Sequence, residues 1–147
     1  MTRNLIVDAS VSAKWFIVEE WSDLAVLLLE SDAPLHAPDL IALEFAGIVW
    51  KKVRQGSLPN DEAARLFDAL TQSPMTLHPI EPLVGRALAI GLATGATVYD
   101  SMYVALAESQ DATLVTADEK LATRLHGTRW QANVLTLRAW AAIQTRL

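Results

Sequence analysis

The sequence predicts an α/β fold, a three-layer α/β/α sandwich around a central, mainly parallel sheet of four to five strands. Two observations predict it. Short apolar runs alternate along the chain with longer segments of helical character, the pattern of a parallel sheet covered by helices on both sides. Acidic residues stand at or just beyond two of the apolar runs, Asp8 after Leu5–Val7 and Asp118 after Thr113–Val115. In open parallel sheets, ligands bind beyond the carboxyl ends of the strands.

The elements follow in order. Leu5-Ile6-Val7 reads as a first, fully buried strand, and a long helical region runs from Val11 to about Ser31. Leu35–Ala37 is a second strand, after which Pro38 suits the opening of a helix that carries Glu44 and stops at Gly56. Pro59-Asn60-Asp61 starts another helix, to about Gln72. Thr76–Pro79 is a third strand, Pro82–Ala93 a helix ending near Gly95, and Thr97 opens a helix to about Gln110. Thr113–Val115 is a β-branched strand, Asp118–Leu125 a short helix, Val134–Leu137 a last strand and Leu137–Arg146 a closing helix. No repeat, linker or low-complexity tract divides the chain, so one domain over residues 1–147 is expected.

A chain that is 52% hydrophobic and 20% charged is not a disordered one. The absence of cysteine excludes disulfides and thiolate metal sites. The N-terminus shows no signal-peptide pattern, and no apolar run is long enough to span a bilayer, so a cytoplasmic protein is expected. A net charge of −5 argues against a broad nucleic-acid-binding surface. It leaves room for a small site that meets phosphate through metal ions.

Four acids adjoin apolar segments: Asp8, Glu44, Asp100 and Asp118. Three have an ordinary structural explanation. Asp8 and Asp118 suit helix N-caps, and Asp100 suits the last position of a capping box opened by Thr97. Glu44 has none. Its helical neighbours three and four residues away are Leu40, Ile41, Gly47 and Ile48, which places the carboxylate in a core-facing stripe. Burying an unpaired carboxylate is costly. Lys51 is seven residues on, about 10 Å along a helix, too far for a direct pair. A metal ion is the other candidate partner, and one shared site explains all four acids together.

The segments LIVDASV (Leu5–Val11), PDLIALEFAGIVWK (Pro38–Lys51), TVYDSMYVALAES (Thr97–Ser109) and LVTADEKL (Leu114–Leu121) resemble the signature blocks of the PIN domain. Within that family they are most similar to the toxin subunits of VapBC toxin–antitoxin modules. The resemblance spans nearly the whole chain, with the acids in family order. It implies a magnesium- or manganese-dependent endoribonuclease that forms homodimers and is blocked by a small antitoxin protein. It also implies that Asp8, Glu44, Asp100 and Asp118 are the metal-binding acids, with polar support from Ser10 and Thr116. One position departs from the pattern: Gly47 stands where the family commonly carries Asn, one turn after the helical Glu.

The chemistry agrees with the residue types. Mg²⁺ prefers carboxylate and water oxygens, and an acidic cluster without Cys or nearby His selects Mg²⁺ or Mn²⁺ over zinc. His36, His78 and His126 read as structural or exposed. The mechanism expected is in-line attack by an activated water, leaving a 5′-phosphate and a 3′-hydroxyl. Asp8 and Asp100 are expected as central ligands, Glu44 as a ligand or water-orienting group, and Asp118 as support for a second ion. Lys51 and Lys14 are candidate RNA phosphate contacts. Trp15 and Trp21, in an unusually apolar helical stretch, are candidate protein-interface anchors.

Rival readings are distinguishable. A haloacid-dehalogenase-like phosphatase wants a second Asp two residues after the first, and position 10 is Ser. A response-regulator receiver wants an acidic pair near Asp8 and a late strand-end Lys, and neither is evident. A PIN nuclease outside a toxin–antitoxin module and a non-catalytic PIN-like binding module are the remaining alternatives.

Overall fold

Among the described residues, five short strands form the centre: β1 (Leu5–Val7), β2 (Leu35–Pro38), β3 (Met75–His78), β4 (Thr113–Thr116) and β5 (Val134–Thr136). The computed structural model describes residues 3–146, so the two ends of the expected 1–147 domain lie outside the described residues. The strands are ordered β3-β2-β1-β4-β5 and every pairing is parallel. Both β1 and β4 are buried along their whole length. With helices on both faces, such strands need continuous apolar runs and not alternation, which is what LIV and TLVT supply.

The order reverses between β1 and β4. From β1 the chain winds outward through β2 and β3, then returns to the other side for β4 and β5. Beyond the carboxyl ends of β1 and β4 therefore lies the topological switch point, where neither crossover covers the sheet. The register Val7↔Val115 sets the two strand ends level there.

Among the described residues, eight α-helices surround the sheet: α1 (Ala9–Phe16), α2 (Ser22–Leu29), α3 (Leu40–Arg54), α4 (Ala63–Thr71), α5 (Val84–Thr94), α6 (Val98–Ser109), α7 (Glu119–Leu125) and α8 (Leu137–Gln144). Successive strand residues point to opposite faces. Ile6 and Leu114 accordingly join one core with Ile41, Ile90, Leu106 and Leu125. Val7 and Val115 join another with Val11, Leu28, Leu137 and Trp140. A third cluster lies beside the sheet, where Ala13 of α1 and Ile17 just past its end meet Phe45, Val49, Leu66 and Leu70 of α3 and α4. Helix α6 is the most enclosed, with Ser101 through Ala107 all buried, and each large apolar side chain there contributes about 1.5–3 kcal/mol. Among the described residues, no helix is long and apolar enough to cross a membrane.

The structure changes two expectations. The helical region from Val11 to Ser31 is two helices, because its halves bury their apolar faces against different partners. Ala13 of α1 and the following Ile17 face α3 and α4, whereas α2 turns Ala25 and Leu28 toward α8. Trp21 takes a left-handed conformation at the break (φ 66°). The Ser22 hydroxyl closes the turn, donating to the Ile17 carbonyl at 3.2 Å and accepting from the Glu19 N–H at 3.0 Å. Pro38 does not open a helix; it ends β2, and α3 starts at Leu40. The ladder continues past it through the Asp39 N–H, which donates to the His78 carbonyl at 2.8 Å.

Candidate active site

Asp8 follows β1 directly and is 7% exposed. It does cap α1, its Oδ1 accepting from the Val11 N–H at 3.2 Å. Two hydroxyls complete its setting. Ser10 Oγ donates to Oδ1 at 2.5 Å and Thr116 Oγ1 donates to Oδ2. Each hydroxyl also accepts a backbone N–H from the turn after β4, Ser10 from Ala117 at 3.1 Å and Thr116 from Asp118 at 3.0 Å. A hydroxyl that accepts from a fixed N–H has its own proton left to aim at the carboxylate. The pair thus clips the β1 end to the β4 end through Asp8. Burial nevertheless pushes the Asp8 carboxyl up from 3.8 to about 6, against the lowering effect of Ser10, Thr116 and Val11, and Asp100 adds to the rise.

Asp118 caps α7, with Oδ1 accepting from the Lys120 and Leu121 N–H groups at 3.0 and 3.2 Å. Asp100 lies in the first turn of α6, where its N–H donates to the hydroxyl of the N-cap Thr97 at 3.1 Å. Burial raises its carboxyl above the ordinary range, and Asp118 raises it further; Thr97 and Arg124 oppose this. The helix-capping explanation and a shared site therefore coexist: a carboxylate can hold a helix start with one oxygen and face a cleft.

Glu44 has a partner that sequence reasoning missed. The Tyr103 hydroxyl donates to Glu44 Oε1 at 2.6 Å. Tyr103 is 1% exposed and stands one turn after Asp100 on α6. The buried stripe of α3 runs through Ile41, Phe45 and Val49, while Gly47 is exposed. Glu44 thus sits at the margin of the core-facing stripe and not in its middle. Burial raises its carboxyl, Tyr103 holds the rise in check, and Asp100 adds to it. The Tyr103 hydroxyl is itself pushed well above its ordinary range, first by burial and then by Glu44. The available signal was the spacing: Tyr103 is three residues after Asp100 and so shares its helical face.

All four acids line one cleft of about 330 Å³, together with Ser10, Gly47, Lys51 and Tyr103. Thr116 supports it from behind Asp8. Among the described residues, none of the ion pairs involves Asp8, Glu44, Asp100 or Asp118. Arg124, which opposes the rise at Asp100, is itself engaged elsewhere, its Nη1 donating to the Gly95 carbonyl at 2.8 Å. Four acids against Lys51 at the cleft wall leave an excess of negative charge that no ion pair neutralises, a setting that suits a hard cation. Among the described residues, no group of three or more acidic or histidine side chains is arranged to hold an ion by itself. A cation here would take a few carboxylate oxygens and complete its shell with water, as Mg²⁺ does.

The remaining candidates separate. Lys51 lines the cleft. Lys14 does not; it pairs with Glu19 at 3.1 Å, and Lys52 takes the other Glu19 oxygen at 3.2 Å. Trp15 and Trp21 pack against the second core, with Trp15 Nε1 donating to the Ala25 carbonyl at 2.9 Å and the Arg138 guanidinium 5.3 Å from the Trp21 ring. Much of their apolar surface is thus engaged within the chain. His36 and His78 share a hydrogen bond at 2.9 Å between β2 and β3 and do not line the cleft.

The sequence model of the PIN domain matches residues 5–124. The chain belongs to the PIN domain family. It is 38% identical over 123 residues to a protein named Ribonuclease VapC3 from Pyrobaculum aerophilum, a match covering 82% of this chain and 94% of that one. It is 30% identical over 112 residues to Ribonuclease VapC9 from Mycobacterium tuberculosis, covering 71% and 87%. Among solved structures, PAE2754 from Pyrobaculum aerophilum superposes with a TM-score of 0.70 at 23% identity, covering 99% of this chain and 91% of that one. A chain of a toxin–antitoxin complex from Klebsiella pneumoniae gives 0.59 at 12% identity, covering 91% and 98%. These two structural likenesses speak for the PIN fold. At Gly47, where the PIN pattern commonly has Asn, no atom lies within 4 Å of an added Cβ, so the missing amide leaves open space.

Proposed function

We propose that this PIN-domain chain is a metal-dependent endoribonuclease, the toxin of a type II toxin–antitoxin pair. The observation that carries the reading is the convergence of four carboxylates from separate elements on one cleft at the switch point, with no cationic side chain bonded to any of them. Its PIN relatives named as VapC ribonucleases support the substrate class. One domain spanning residues 1–147 and a cytoplasmic setting accompany this reading.

Asp8, Glu44, Asp100 and Asp118 are the residues that would hold Mg²⁺, with Mn²⁺ able to substitute. When bound, such an ion supplies Lewis acidity toward the phosphodiester and makes a bound water more acidic. The chain's own part is positioning. Ser10 and Thr116 fix both oxygens of Asp8. Tyr103 fixes Glu44 through Oε1, leaving Oε2 as the oxygen for a cation or a water. The α7 start engages Oδ1 of Asp118, leaving its other oxygen for the cleft. Lys51 lines the cleft wall and would meet a phosphate of the RNA there. The expected products carry a 5′-phosphate and a 3′-hydroxyl. A small antitoxin protein and a second copy of the chain are the expected partners.

The test is cleavage of total cellular RNA by the intact chain with Mg²⁺ or Mn²⁺ supplied, cut sites being mapped, against the Asp8→Asn variant. Cleavage by the wild type and none by the folded variant supports the reading. Equal cleavage by both sinks it.

A further inference from the structure

The exposed side of α3 leads from the cleft, which Gly47 and Lys51 line, round to Trp50 at the rim of a separate apolar groove shared with Val53, Ala63 and Phe67. Taking about 100° per residue, Glu44 and Lys51 face the acidic cleft. Moving around the helix, Gly47 comes next, then Arg54 and Leu43, then Trp50. Leu43 is 71% exposed and Trp50 66%. Trp15 and Trp21 are partly packed into a core, and Trp130 and Trp140 are buried. An indole left largely in water on a helix that also serves the site calls for an occupant.

Charge and shape indicate which. The Arg54 guanidinium lies 5.9 Å from the Trp50 ring centroid. Among the described residues, neither Lys51 nor Arg54 takes part in an ion pair. Free cations therefore stand beside the ring and between the ring and the cleft. Gly47, on the cleft side of this arc, has no side chain and open space above it. Six residues of helix separate Glu44 from Trp50, about 9 Å of rise. That is within the span of the nucleotides next to the one being cut, at about 3.4 Å per stacked nucleotide.

We infer that Trp50, with Arg54 and Lys51 beside it, is a stacking platform for an unpaired base of single-stranded RNA flanking the scissile phosphate. The inference rests on the ribonuclease reading and narrows its substrate to RNA with an accessible base face. Duplex RNA is excluded from the platform because its bases are stacked on one another. An aromatic ring flanked by cations binds any base by its face and backbone, without reading sequence.

The test uses the intact chain carrying Asp8→Asn, so that RNA stays whole, and a fluorescein-labelled single-stranded RNA of mixed sequence or the same strand in a duplex. Base–aromatic stacking of about 1–3 kcal/mol corresponds to roughly 5- to 150-fold in affinity. Adding Trp50→Ala is expected to weaken single-strand binding by that factor, Trp50→Phe to retain most of it, and duplex binding to change little. Tryptophan fluorescence should fall on adding the single strand, and this fall should vanish in Trp50→Ala. Equal single-strand affinity with and without the indole overturns the inference, as does absence of single-strand binding in both. A change of molecular mass in Trp50→Ala with unaltered RNA affinity also overturns it and assigns the ring to a protein interface. Wild-type cleavage of the same RNA is scored separately. Cleavage without a Trp50 effect leaves the ribonuclease standing and removes the platform; no cleavage removes the ribonuclease.

Discussion

Replacing Asp8 by Asn should stabilise the metal-free protein at neutral pH. The Asp8 carboxyl is pushed up from 3.8 to about 6 in the folded chain, burial being the largest cause. The folded state therefore holds this proton more tightly than the unfolded state. Its stabilising effect is complete below about pH 4 and is lost as pH rises through about 6. At 1.36 kcal/mol per pH unit, the loss reaches roughly 3 kcal/mol above that window. Asn carries no charge, so it avoids the loss. It must also reverse or forfeit one of the bonds from Ser10, Thr116 and Val11, at about 1 kcal/mol. A net gain of roughly 2 kcal/mol remains, or about 4–8 °C in Tm for a domain of this size. The assay is thermal or urea unfolding in EDTA at about pH 7.5 and about pH 4. The gain should appear at the higher pH and disappear at the lower. An Asn variant less stable than wild type at neutral pH, or a gain that persists at acid pH, refutes the claim that burial makes the Asp8 charge costly.

Three other outcomes are expected. Tyr103→Phe frees Oε1 of Glu44 and should weaken Mn²⁺ binding about 10- to 100-fold; wild-type affinity in a direct Mn²⁺ titration would contradict the positioning role. Glu108 accepts from Arg86 at 2.6 and 2.9 Å and from Trp130 at 2.7 Å, and these contacts, Arg86 first, hold its carboxyl down to about 2. A depressed folded value means stability present above about 4.5 and lost as pH falls toward 2. Unfolding of Glu108→Gln and wild type should therefore differ at about pH 6, by less at about pH 3, and converge only near pH 2; a constant gap would reject the assignment. Gly47→Ala should add about 0.5–1 kcal/mol, because Gly is a poor helix former and nothing crowds its Cβ; a lower unfolding midpoint would show a hidden clash.

The strands and the four acids were legible in the sequence because each is announced locally. An apolar run such as LIV or TLVT is its own signal, and an Asp directly beyond it is placed by chain connectivity alone. Parallel order and right-handed crossovers then bring those strand ends together. Tyr103 was not legible as the partner of Glu44, since the bond joins residues 59 apart on different helices and depends on how α3 and α6 pack. The same holds for Lys14, which reads as a free cation until α1 turns at Ile17 and brings Glu19 back to it. The break itself did leave a trace. Ser22-Asp23 is a helix-start pair that the apolar run on either side concealed. Trp15 and Trp21 are partly buried against the second core, an engagement that depends on how α1, α2 and α8 pack.

Metal-stripped wild-type chain and Asp100→Asn, each given single-stranded RNA and increasing Mg²⁺ or Mn²⁺, test the central claim most directly, with the new ends identified. Wild type should leave RNA intact in chelator, cut it as metal is restored and produce 5′-phosphate ends, while Asp100→Asn leaves it intact throughout. Cleavage in chelator at the same rate, or undiminished cleavage by Asp100→Asn with metal present, would contradict a carboxylate-held metal site.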